Sequence, residues 1–151
     1  MTGLEEIRER LLSYGIAQWL LLGVIAMVTI GIHATSEELI FRGYLLPSLA
    51  SRLSIGVAVL LSTVLFTAGH PGSGVYGTLG VAAFAAVFAL TTLRTGTVSY
   101  TAGAHVANNL AMFLLYPSVE NADATLLDLG LLSGSLVIWW LWVQRRESLR
   151  D

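Results

Sequence analysis

The chain contains no cysteine and no lysine, only three prolines, and charged residues at just 12% of its 151 positions. Without cysteine there is no disulfide, no thiolate metal ligand and no cysteine nucleophile. All eight basic residues are arginine, and a formal net charge of -2 with a pI near 5.9 leaves no basic footprint for nucleic acid. Soluble globular chains carry about 25% charged residues. With 55% hydrophobic residues and a mean hydropathy of +0.73, most of this surface has lipid as its solvent.

Apolar runs of spanning or near-spanning length cover residues 16–32, 55–69, 75–93, 98–116 and 126–143. Only helices satisfy their backbone groups as separate spans in lipid, and no alternation of period two argues for a barrel. The expected fold class is therefore all-α, a polytopic transmembrane helical bundle with residues 1–151 as one domain. The first run follows a charged start (Glu5, Glu6, Arg8, Glu9, Arg10), exceeds a signal-peptide core and lacks a small-x-small cleavage site. It reads as an anchor.

Residues 36–50 lie between the first two runs and are short for a span, which needs about 20 residues. Counting them as a crossing gives six membrane helices. Arg8, Arg10, Arg52, Arg94, Arg145, Arg146 and Arg150 then share one face, with Glu120 and Asp123 on the other. That is the positive-inside pattern, with both termini cytoplasmic and the cell membrane as the expected location; without the crossing the pattern breaks. Pro47 inside this short helix removes a backbone hydrogen bond and invites a kink. Gly80, Ala82, Ala83, Ala85 and Ala86 supply small faces for close helix contact.

Polar clusters interrupt this apolar plan. Charge in a bilayer is expensive and marks function, and Glu37, Glu38 and Arg42 stand together. In a helix, Glu38 and Arg42 share a face and form an ion pair that lowers the penalty of burying both. Glu37 points about 100° away. It is left for a water and for a histidine from another helix, as a general base would be. A purely structural reading has Thr35 capping a helix with Glu38 completing a capping box, but that leaves Arg42 unexplained.

Phe66 and His70 are four apart, so the ring packs beside the imidazole at the end of a span. Alone, His70 before Pro71-Gly72 reads more readily as a helix-end residue. His105 and Asn109 repeat the spacing, and their structural reading is an interhelical hydrogen-bond pair worth about 1 kcal/mol. His33 lies outside the clusters and receives no role. Straight helices would leave His70 and His105 about 10 Å or more apart in depth, so tilt, a thinned bilayer or a re-entrant 95–103 segment must close the gap.

In chain order these residues match three patterns, Glu-Glu-x-x-x-Arg, Phe-x-x-x-His and His-x-x-x-Asn. On them the chain resembles the CPBP family of intramembrane proteases, which includes the CAAX-processing endopeptidases related to Rce1 and bacterial immunity-type (Abi) members. The resemblance covers roughly residues 32–116. It implies hydrolysis of a peptide bond in a membrane-anchored protein or peptide by an activated water. Glu37 and His70 would hold and deprotonate that water, His105 and Asn109 would stabilise the oxyanion, and Glu38, Arg42 and Phe66 would support them. No cofactor is needed if Glu37 and His70 activate water directly; zinc on Glu37, His70 and His105 is the alternative. With no His-Glu-x-x-His helix, spacing does not decide between them.

Two rival readings remain. A rhomboid-like serine protease would use Ser73 with His105 as base, but Pro71 occupies the place of an expected glycine and Pro71-Gly72-Ser73-Gly74 reads as a turn. Intramembrane ionisable residues also mark ion paths, so a non-enzymatic membrane scaffold, immunity-type protein or small transporter subunit is the reading from another class.

Overall fold

The computed structural model describes residues 12–70, 74–115 and 126–147, all of whose regular structure is helical. Ser73, Glu120, Asp123, Arg8, Arg10 and Arg150 lie outside the described residues.

Helix α1 (Ile16–Glu38) runs into a π-helical segment (Leu39–Leu45) and then into α2 (Leu46–Ala50) without a break. The result is one rod, Ile16–Ala50, of 35 residues. At about 1.5 Å per residue it is about 52 Å long, well beyond a hydrocarbon core of about 30 Å. The expected separate crossing by residues 36–50 is therefore corrected, because one rod has one direction. Its polar stretch His33-Ala34-Thr35-Ser36 contains no helix breaker, so polarity there does not interrupt the backbone ladder. The capping reading of Thr35 and Glu38 falls with it, since both sit inside the continuous helix. Pro47 stands at the start of α2, directly after the wide π turn. Proline lacks the N–H an α register would use, so a change of register just before it sacrifices little, and the rod continues.

Four further helices follow: α3 (Ile55–Ala68), α4 (Gly74–Thr95), α5 (Ser99–Leu115) and α6 (Leu126–Glu147). Their limits follow the apolar runs closely. Helix α4 stops at Gly96, whose φ of 67° lies in the left-handed region that glycine enters without strain. No atom lies within 4 Å of where its Cβ would stand, so conformation rather than space calls for glycine there.

The rod packs on α5, α3 on α4, α4 on α6, and α2 folds against α3. The rod, α3, α4 and α5 each bury a stripe of residues four or eight apart, the face an α-helix presents to a neighbour. Along the rod these are Ala26, Ala34, Glu38, Arg42 and Leu46; on α3 Ala58, Ser62 and Phe66; on α4 Phe84, Phe88 and Thr92; on α5 Thr101 and His105. Phe66, Phe84, Ala85, Phe88 and Leu136 form one apolar cluster, and Leu46, Ala58 and Ala89 a second. The alanines at these crossings let the backbones approach.

Leu20, Leu21, Val24, Ile25, Leu60, Val64 and Leu79 face outward. So much exposed aliphatic surface is stable only against lipid. Among the described residues, Ile16–Ala50 and Gly74–Thr95 are long and apolar enough to cross a membrane, and Ile55–Ala68 is a shorter apolar helix.

Candidate active site

The π segment begins directly after Glu37 and Glu38 and carries Arg42, so the three charges straddle a change of helical register. Such widened turns recur at functional sites. Glu38 and Arg42 are buried at 0% and 2% exposure. The Nη1 of Arg42 lies 3.1 Å from Glu38 Oε1, which is the ion pair expected from the spacing. Arg42 Nη2 also donates to the Ala85 carbonyl of α4 (3.3 Å), and its guanidinium lies 4.2 Å from the Phe66 ring centroid. Backbone carbonyl, aromatic ring and carboxylate together compensate a cation that would be costly to bury alone.

From α5, His105 donates its Nδ1–H to Glu38 Oε1 at 3.0 Å. That fixes the ring and turns Nε2 toward the other acid, where it lies 3.6 Å from Glu37 Oε2. Phe84 holds the ring from the side, with centroids 5.0 Å apart at 70°. From α3, His70 is set in a parallel manner. Its Nδ1–H donates to the Phe66 carbonyl at 2.8 Å, and its ring stacks on Phe66 with centroids 4.2 Å apart and planes 21° apart. Its Nε2 then lies 3.2 Å from Glu37 Oε1.

Both imidazoles thus spend Nδ1 on an orienting partner and present Nε2 to Glu37. The depth problem is closed by this carboxylate, whose two oxygens meet histidines from two helices. Helix α3 is short: its 14 residues extend about 21 Å, less than a hydrocarbon core of about 30 Å. Glu37 Oε2 is buried and has no hydrogen-bond donor among the described residues.

Glu37, Glu38, Arg42, Phe66, His70 and His105 therefore form one connected cluster. Asn109 stands one turn beyond His105 on α5, half-buried, and its Oδ1 accepts from Asn108 Nδ2 at 3.3 Å. His33, given no role from the sequence, also belongs here, with Nε2 3.7 Å from Glu37 Oε1. The signal was the spacing of four to Glu37, the same interval that separates Glu38 from Arg42, Phe66 from His70 and His105 from Asn109.

Glu37, His70 and His105 are donors that a zinc ion accepts, and the carboxylate and carbonyl behind the imidazoles resemble the partners of metal-bound histidines. Their disposition does not fit one. Each imidazole faces a different oxygen of Glu37, and no group of three among the described residues is arranged to hold a metal ion.

The stretch that carries these residues also matches a family model. The family model for type II CAAX prenyl endopeptidases, Rce1-like, matches residues 16–111. The chain belongs to that family. The matched stretch contains every clustered residue, from His33 to His105, as well as Asn109, and omits α6. Rce1-like proteins are membrane-integral proteases that act on membrane-associated proteins, and the apolar helices of this chain suit that setting. No curated protein and no solved structure matches the chain.

Proposed function

We propose that the chain is an intramembrane endopeptidase that hydrolyses a peptide bond of a membrane-anchored protein or peptide, with Glu37 and His70 activating water. The supporting observation is the meeting of Glu37 Oε1 and His70 Nε2 at 3.2 Å. Because Nδ1 of His70 is already a donor, a neutral ring offers only a lone pair at Nε2. Two acceptors facing each other need a proton between them or a donor across them. A water donating to both satisfies the pair and is itself polarised as a nucleophile.

The remaining residues supply the other half of the reaction. As the water oxygen bonds to the substrate carbonyl carbon, one water proton passes to the Glu37–His70 couple and the carbonyl oxygen becomes an oxyanion. His105, oriented through Nδ1 by Glu38, faces that oxyanion with Nε2, and the Asn109 amide donates to it. Collapse breaks the C–N bond, and the couple returns its proton to the leaving nitrogen. Arg42 and Phe66 position Glu38 and His70 and do not touch substrate.

Residues 1–151 act as one membrane-embedded domain in the cell membrane, with lipid and a membrane-anchored substrate as partners. The continuous rod favours five crossings over six. Arg52, Arg94, Arg145 and Arg146 then share the cytoplasmic face, and the N-terminus lies on the other. The test of the function is cleavage of tagged membrane-anchored peptides, with and without a prenyl group, by purified protein. Cleavage by wild type but not by Glu37→Gln or His70→Ala is expected. Equal product from all three, or none from wild type, contradicts the proposal.

A further inference from the structure

We infer that His33 is a positioning residue for the Glu37 carboxylate, an inference that rests on the protease reading of the same site. His33 Nε2 lies 3.7 Å from Glu37 Oε1, the oxygen that His70 Nε2 approaches at 3.2 Å from another helix. Oε1 is therefore bracketed by imidazoles from the rod and from α3, while Oε2 faces His105 from α5 at 3.6 Å. A carboxylate with a free side rotates about its terminal torsion, which is broad and roughly two-fold. His33 limits that freedom by standing 3.7 Å from Oε1 while Oε2 faces His105.

Exposure falls along the chain of contacts. The side chain of His33 is 69% exposed, that of His70 34% and that of Glu37 18%. His33 thus covers the outer side of the pair without being part of the core. A polar ring gains nothing from a purely lipid-facing position, and polar side chains within spans turn to the bundle interior or to water. Its neighbour Ile32 is exposed as lipid would require, whereas His33 reaches across to the acid one turn on. None of the three motif pairs includes it, and its removal leaves no buried cavity.

Steady-state cleavage of the same anchored peptide by wild type, His33→Ala, His33→Gln and His33→Asn tests this, with thermal unfolding measured for each. His33→Ala is expected to lower kcat about 10- to 100-fold, as a misplaced reacting group does, with KM and unfolding temperature unchanged. His33→Gln places an amide nitrogen where Nε2 stood and regains most of the rate; His33→Asn is too short and does not. Free imidazole reaches the exposed position and raises the rate of His33→Ala. Unchanged kcat in His33→Ala, or equal losses in all three variants with no response to imidazole, overturns the role of His33 while the protease reading stands. Absence of cleavage by wild type overturns both.

Discussion

His70 Nε2 lies 3.2 Å from Glu37 Oε1, although the two residues belong to different helices and stand 33 positions apart in the chain. Each partner is held from behind. His70 is locked by its bond to the Phe66 carbonyl and by the Phe66 ring, and Glu37 by its place on a rod whose adjacent Glu38 is tied to Arg42 and His105. Preorganisation of this kind is what a water-activating pair needs, because geometry set before substrate arrives need not be established during the reaction.

The Glu38–Arg42 pair supports fold and site in separable ways. Glu38→Gln leaves Arg42 buried without its counter-charge and is expected to destabilise the protein by about 3–5 kcal/mol. The double change Glu38→Leu with Arg42→Met removes both charges and recovers most of that loss. It remains inactive, because His105 no longer has an acceptor for Nδ1–H. Denaturation in detergent beside a cleavage assay checks both halves.

Phe66 is expected to matter more for rate than for stability when its volume is kept. Phe66→Leu retains apolar bulk but removes the face on which His70 stacks and beside which Arg42 lies, so kcat falls about 10-fold or more with a modest change in unfolding temperature. Phe66→Ala adds a cavity and costs about 3–5 kcal/mol. Equal rates in Phe66→Leu and wild type would contradict the positioning role.

Topology can be read without background labelling, since the chain has no native cysteine. Single cysteines at positions 52, 94 and 146 are expected to react with an impermeant thiol reagent from the same side of the membrane, and one at position 13 from the other. Position 13 reacting from the same side as the rest would restore an even number of crossings.

Chelation is expected to leave cleavage intact. The two imidazoles meet different oxygens of Glu37, and in the proposed mechanism the proton moves between these side chains and water alone. Loss of activity on dialysis against a strong chelator, with recovery on adding zinc, would contradict this.

Much of this arrangement was legible in the sequence because it rests on short-range geometry. The spacing of four gave the Glu38–Arg42 pair and the Phe66–His70 stack, and the turn of a helix left Glu37 aimed elsewhere. The apolar runs gave the helix limits. Other features stayed hidden. The continuity of the rod was masked by polar residues at 33–36, which signal a loop by composition but carry no glycine or proline to end a helix. The π turn has no recognisable pattern in side-chain types. The bond from His105 to Glu38 depends on how α5 lies against the rod, which only tertiary packing decides. His33 was passed over because it lies outside the three motif pairs.

The most direct measurement is a double-mutant cycle on Glu37 and His70, followed by single-turnover cleavage of an anchored peptide. Each single change, Glu37→Gln and His70→Ala, is expected to slow the chemical step by about 10²- to 10⁴-fold. Because both act on one water, the double variant should be no slower than the slower single one. Losses that multiply, or a single variant that cleaves at the wild-type rate, would show that the two residues do not act together and would contradict the account.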